Sequence, residues 1–134
     1  MIQEGLFAYL SANAGVAALA GSRIYPLVIP QQSYREDSRM PCIVYSQDSA
    51  TRQKLFDGQS ALVDAGFTID CYAPAHADAH ALAAAVRAAL VDYAGAMGAV
   101  TVRAVFFEGQ LELADLEPGL FRVSQNWTVW YVEG

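Results

Sequence analysis

Two segments of the chain alternate strictly between apolar and polar residues, which is the pattern of a strand with one buried face. In Leu62 to Ala73 the apolar positions are Val63, Ala65, Phe67, Ile69 and Cys71. In Leu120 to Val132 they are Phe121, Val123, Trp127, Val129 and Tyr131. Two further runs, at 41–49 and 100–108, are rich in β-branched and aromatic residues. The sequence therefore predicts four strands.

The strands at 41–49 and 62–73 follow one another closely, and we expect them to pair as an antiparallel hairpin. Asp57-Gly58 is a turn signal between them. The tip, about residues 49–60, is expected to project from the body. Pro26 and Pro30 limit the segment 24–30 to an extended or edge position, because proline cannot donate to a sheet ladder. The polar segments 31–40 and 112–119 are predicted to be loops.

Helical spacing appears in three places. Ile2, Leu6, Tyr9 and Leu10 predict a helix over 2–12, and a second short helical turn carries Val16 and Leu19 and stops at Gly21. The strongest pattern covers 76–94, where Leu82, Val86, Leu90 and Tyr93 recur at steps of four, four and three. We predict one α+β domain over residues 1–134: a mainly antiparallel sheet of about four strands, with helices packed on one face and a projecting β-hairpin.

The charge balance argues against direct nucleic-acid binding. Eight basic residues stand against fourteen acidic ones, for a net charge of −6, and the basic residues are scattered along the chain. A phosphate-binding surface needs a basic patch. Charged residues make up only 16% of the chain while apolar residues make up 54%. Because that is little charge for a solvated surface, we expect a partner to cover part of it.

Cys42 and Cys71 lie in apolar runs without metal-ligand spacing, and we expect two buried thiols, with a disulfide between them left open. The segment MIQEGLFAYL lacks the basic start and long apolar stretch of a signal peptide. No run approaches the ~20 apolar residues that span a membrane. We therefore expect synthesis in a cytoplasm and no membrane partner.

The search for catalytic chemistry finds no active site. His76 and His80 stand four apart at a helix start, a spacing that can serve a metal, but no HExxH pattern or third ligand accompanies them. We interpret them as solvated residues. The acidic cluster Glu108, Glu112, Asp115 and Glu117 lacks calcium-loop spacing and reads as a solvated turn. No nucleophile elbow or phosphate loop occurs. We expect no enzyme activity, no cofactor and no metal.

Trp130 stands on the otherwise polar face of the last strand, with Arg122, Asn126 and Thr128. Tryptophan is favoured at the centre of protein interfaces. Either it is a single exposed ring or it is an interface anchor, and the sequence leaves both alternatives open.

The order of motifs resembles the small tail-terminator (tail-completion) proteins of long-tailed bacteriophages, a family also found in prophages and gene-transfer particles. An N-terminal helix is followed by AGVAALAGSRIYPLVIPQ, with its Gly-x-Arg-Ile-Tyr-Pro core, and then by MPCIVYSQDS. A strand–helix junction, FTIDCYAPAHADAHALAAAVRAAL, and a closing strand, EPGLFRVSQNWTVWY, complete the likeness. It covers nearly the whole chain in order, although each motif alone is weakly specific.

The resemblance implies a small α+β domain that forms a ring, usually of six copies, on the head-proximal end of the tail tube. The ring ends tube polymerisation and presents a surface to the head-tail connector or stopper protein, without catalysis or cofactor. It implies that sheet edges and the hairpin tip make the ring and tube contacts, with Arg52, Lys54, Phe56 and Asp57 as candidates by position. DNA would pass through the ring without specific binding, and the protein would move from the host cytoplasm into the virion.

Two other hypotheses remain. One is another neck component, such as a head-completion or tail-tube-like protein. The other, from a different class, is a small metal- or ligand-binding domain or enzyme that uses His76 and His80. The absence of any stoichiometric metal would argue against the second.

Overall fold

The computed structural model describes residues 2–21, 23–26, 41–55, 58–114 and 121–133. Within them, three helices and six strands follow one another along the chain. They are α1 (Ile2–Ala12), α2 (Ala14–Ala20), β1 (Ile24–Pro26), β2 (Cys42–Leu55), β3 (Gly58–Ala73), α3 (His76–Leu90), β4 (Gly95–Met97), β5 (Val100–Ala114) and β6 (Phe121–Glu133). The predicted loop at 31–40 lies outside the described residues.

The described strands form one sheet in the order β1-β2-β3-β6-β5-β4. The β2–β3 hairpin is antiparallel, as predicted, and β5 and β6 form a second antiparallel pair. β3 and β6 join the two pairs along the centre, from Leu62 opposite Val132 to Ala73 opposite Phe121. Among the described strands only β1 runs parallel to its neighbour, β2, and it lies at an edge of the sheet, as Pro26 predicts.

One face of the sheet is buried under the helices. The predicted apolar positions of β3 and β6 belong to one core together with residues of all three helices, including Leu6, Val16 and Leu82. Trp127 and Phe67 are the largest of its fully buried side chains. The alternation of the two central strands therefore predicted correctly which side of each strand meets the helices.

The predicted α+β class is confirmed, but the estimate of about four strands is wrong. β1 and β4 are short additions at the two edges of the sheet. β5 runs to Ala114, so part of the predicted polar loop at 112–119 is strand, because its backbone pairs with β6 as far as Phe121. The long helix ends at Leu90 rather than 94, where the chain turns through Asp92, a non-glycine residue at positive φ, into β4.

The hairpin is paired almost to its turn. Strand pairing continues to Leu55 opposite Gly58, next to the turn signal at Asp57-Gly58. Because β6 pairs with β3 only as far as Leu62, and β1 pairs with β2 only at 43–45, the strand pairs nearest the turn have no third strand beside them in the described part of the chain. The end of the hairpin therefore extends beyond the central sheet.

A close backbone contact fixes the first helix against the β4–β5 turn. A Cβ atom at Gly5 would lie 2.3 Å from the carbonyl oxygen of Met97, and one at Gly98 would lie 2.8 Å from the Cα of Gly5. Gly98 also has a φ of +62°, which favours glycine. Neither position has room for a side chain.

Candidate assembly surface and a histidine–glutamate cluster

The face of the sheet away from the helices is the first candidate site, and we call it the open face. Its register places Trp130 between Asp64 of β3 and Ala104 of β5, and Phe106 opposite Thr128. Phe106 is 52% exposed and Leu111, on the same face, is 59% exposed. Large apolar side chains with that much exposure are typical of surfaces that bind a partner.

The open face changes character from β5 towards β2. On β3 the hydroxyl of Thr68 lies 2.6 Å from Oδ2 of Asp48 and 3.2 Å from Oδ1 of Asn126. At the end of the face Arg122 lies against the ring of Tyr72, with its guanidinium carbon 5.8 Å from the ring centre. The apolar part is therefore concentrated on β5 and β6, and a polar strip borders it.

Open strand edges adjoin this face. β4 covers β5 only from Val100 to Val102, and β1 covers β2 only as far as Tyr45. No other described strand pairs with the outer edges of β2 and β5. An edge with backbone groups available for pairing is a ready site for a strand of another molecule.

The structure describes the candidate interface residues to different extents. Trp130 is half-buried and lies on the open face, as its place in the alternation predicts. Arg52 and Lys54 belong to β2, where only their backbone is described, and Phe56 and Asp57 lie outside the described residues.

The second candidate site lies on the helix side, where three ligand-type side chains converge. His76 and His80 begin α3 on one face of the helix, and Glu112 projects from β5. The Nε2 of His80 contacts the Oε1 of Glu112 directly, and the Nε2 of His76 lies 3.4 Å from the same oxygen. The ligand atoms of the three residues lie within 4.8 Å of one another. We call these three residues the His–His–Glu cluster.

A buried hydrogen-bond network fixes α3 against β5 and β6 next to this cluster. The side-chain nitrogen of Gln125 donates to the carbonyl of Ala83 and to the side chain of Gln110, each at 3.0 Å. The indole of Trp127 donates to the oxygen of Gln125 at 3.2 Å. Ala83 is one helical turn after His80, and Gln110 is two residues before Glu112 on the same strand face. The packing of helix on sheet therefore sets where the histidines meet the carboxylate.

The electrostatics of the cluster favour an ionised glutamate. The hydrogen bond from His80 is the main cause that lowers the pKa of Glu112. Desolvation opposes it, and the nearby charges of His80 and His76 act in the same direction as the hydrogen bond. All three side chains are at least one-third exposed. A pocket of about 250 Å³ opens beside the cluster, lined by His76, Glu112, Leu113, Phe121, Arg122 and Val123.

Sequence reasoning placed the two histidines correctly but missed their third neighbour. The expectation of no metal role rested on the lack of a third ligand, and Glu112 now occupies that position. The contact is hard to predict from the sequence, because Glu112 is 32 residues from His80 and lies in a segment that was predicted to be a loop. Knowing that β5 continues through Glu112 would have placed its side chain on the helix side.

Two further predictions concern the state of the cysteines and the presence of membrane-spanning helices. Cys42 and Cys71 are both buried, as predicted, and they are not joined by a disulfide. Among the described residues no helix combines the length and apolar character needed to cross a membrane.

Comparison with known proteins gives a family and a fold. Residues 4–132 match the family described as Tail completion protein gp17. A chain from the virion of a native gene transfer agent particle has a similar structure, with a TM-score of 0.73 and 22% identity over 96% of this chain and 92% of that one. At that identity the likeness establishes the fold alone. No curated protein sequence matches the chain.

Proposed function

This chain belongs to the phage tail completion protein family, and from that premise we propose that it caps the head-proximal end of a tail tube as a ring. In this role it ends tube polymerisation and joins the tail to the head connector. It carries out no catalysis, and it moves from the host cytoplasm into the virion neck. Its partners are further copies of itself, six in a closed ring, the tube protein and the connector or stopper protein.

The observation that carries the proposal is the open face together with its free strand edge. Phe106 and Leu111 are more than half exposed on β5, and no described strand pairs with the outer edge of β5 beyond Val102. A neighbouring copy that covers this region buries apolar surface. It can at the same time form hydrogen bonds with the backbone groups at the outer edge of β5. In the ring that we propose, the β5 side of one copy meets the β2 side of the next, and such contacts between unlike surfaces can close into a ring.

The projecting hairpin supports a separate contact with the tube or the connector. Its last strand pairs extend beyond the central sheet. We propose Arg52, Lys54, Phe56 and Asp57 as the residues that make this contact. The net charge of −6 suits a ring through which DNA slides, because like charge keeps DNA from adhering.

The test is electron microscopy of particles assembled without this protein, with purified protein then added back. We expect overlong or headless tails in its absence, and tails of normal length joined to heads after addition. The informative variant is Phe106→Ser with Leu111→Ser, which changes exposed side chains on the open face. It should fold and yet fail to restore the tails.

Phe7→Ser is the matched control, because Phe7 is also exposed, at 40%, but lies on α1. It should restore normal tails. Tails of normal length in the absence of the protein would contradict the capping role and favour a component of the head side of the neck. Full restoration by the double variant would refute the role of the open face.

Trp130→Ala tests the half-buried anchor. We expect self-association or partner binding to weaken by about tenfold or more while the Tm changes little, because buried tryptophans often dominate interfaces. Sedimentation and thermal unfolding of the same samples give both quantities. A large fall in Tm with unchanged association would show that Trp130 serves the fold instead.

A further inference from the structure

We propose that His76, His80 and Glu112 form a binding site for a divalent transition-metal ion of the zinc class. The two histidines come from consecutive turns of α3 and the carboxylate from β5, so the ion would link a helix to the sheet. This site lies on the helix side of the sheet, away from the open face, and it is independent of the ring proposed above.

The geometry suits a tetrahedral ion. In such a site the ligand atoms lie about 2.1 Å from the metal, and two ligands are then about 3.4 Å apart. The Nε2 of His76 is 3.4 Å from the Oε1 of Glu112, and all the ligand atoms of the cluster fall within 4.8 Å of one another. His80 and Glu112 are closer, as a hydrogen-bonded pair, and a small rotation of their partly exposed side chains separates them enough to admit an ion between them.

The donor set selects the class of metal. Imidazole nitrogen suits zinc, copper and nickel, whereas magnesium and calcium take oxygen ligands. Two imidazoles and one carboxylate are a known zinc donor set that leaves a fourth position for water or for a group from another molecule.

Contacts around the cluster limit the movement of His76 and of α3 before any ion arrives, so that only a small rotation of His80 and Glu112 is needed. The ring of His76 packs edge-on against Phe121, with centres 5.7 Å apart, and against His80 at 4.6 Å. The Gln125 network fixes the next turn of α3 to the same strands. A site whose ligands are already oriented loses less conformational entropy on binding.

Zinc binding by the tag-free protein tests the proposal, measured by competition with a chromophoric chelator. We expect one zinc per chain, and no displacement by a large excess of magnesium. At roughly 10 to 100 times the Kd, zinc should raise the Tm by about 5 to 10 °C, because the ion binds the folded state.

Three variants separate ligation from a simple hydrogen bond. Glu112→Gln retains an acceptor for His80 but is a poor zinc ligand, and His76→Ala removes the ligand whose Nε2 lies 3.4 Å from the Oε1 of Glu112. Each should weaken zinc binding by about tenfold or more while the metal-free Tm stays nearly constant. Asp78→Asn is the control, because Asp78 is itself an exposed carboxylate in the first turn of α3 but lies outside the cluster.

Each possible result of these measurements either supports the metal site or overturns it. Stoichiometric binding that both ligand variants reduce and the control does not supports the site. No binding by the wild-type protein, or binding that the ligand variants leave unchanged, overturns it. Neither result bears on tail capping, which the microscopy tests separately.

Discussion

At the scale of single residues, Gln125 is the buried polar side chain among the described residues, and its hydrogen bonds are all internal. Gln125→Met keeps the volume but leaves the Trp127 indole and the Ala83 carbonyl without their partner. We expect a loss of about 1–3 kcal/mol in the free energy of unfolding, measured by urea denaturation. Asn126→Ala, the exposed neighbour on the opposite face, should change it by less than about 0.5 kcal/mol. Equal effects would contradict the role of the network.

Cys71 gives a prediction on reactivity. Burial, reinforced by the neighbouring charge of Asp70, raises the pKa of its thiol well above the ordinary value. The folded state thus favours the protonated thiol, so this contribution to stability is present below the ordinary pKa and is lost as pH rises past it. With an aromatic disulfide reagent we expect both thiols to stay protected between about pH 7 and 8.5 and to react in denaturant. Rapid reaction of the native protein would contradict this burial.

The sequence predicted the position of a single residue correctly where the residues next to it in the chain determine that position. Trp127 and Trp130 were assigned to opposite faces from alternation alone, and the register agrees. Gln125 escaped notice because a polar residue in an apolar position can be understood only through partners far along the chain. Glu112 was missed for the same reason, since its histidine neighbours belong to another element.

At the scale of elements, the contact between α1 and the β4–β5 turn predicts the effect of Gly5→Ala. Alanine would favour the helix by about 1 kcal/mol over glycine. A new methyl group 2.3 Å from the Met97 carbonyl instead forces the helix away from the turn, at a cost of about 1–3 kcal/mol for overpacking. We expect a net fall in the Tm.

Gly109→Ala is the control for that change, because a Cβ at Gly109 meets nothing within 4 Å. Its Tm should stay close to that of the wild type, as thermal unfolding by circular dichroism would record. A Tm for Gly5→Ala at or above the wild-type value would mean that α1 and the turn can separate without penalty.

Element prediction failed where pairing, and not composition, makes a strand. Gly95–Met97 carries no periodic signal, and it becomes β4 because Val100 to Val102 offer it a ladder. The end of β5 contains Glu112, which was predicted to lie in a loop, yet β6 supplies backbone partners as far as Ala114. α1, in contrast, was predicted with the correct ends.

At the scale of the whole molecule, the acidic balance predicts that the protein does not bind DNA by its phosphates. A net charge of −6 gives long-range repulsion that weakens only as salt screens it. In a gel-shift assay at low and at physiological salt we expect no retardation of duplex DNA. Retardation that disappears as salt rises would reveal a basic surface that the sequence and its charge do not indicate.

The seam between β3 and β6 has a consequence for how the chain folds. The β2–β3 and β5–β6 hairpins need only local contacts, but the seam joins residues roughly 50 to 70 positions apart, with α3 between them. Closing that loop lowers the conformational entropy of the chain before the burial of apolar surface in the core can compensate for it. We expect the hairpins and α3 to form early and their docking along the seam to limit the folding rate. A slow docking step would prolong the partly folded state, in which the apolar faces of both hairpins are exposed and can pair with those of another chain.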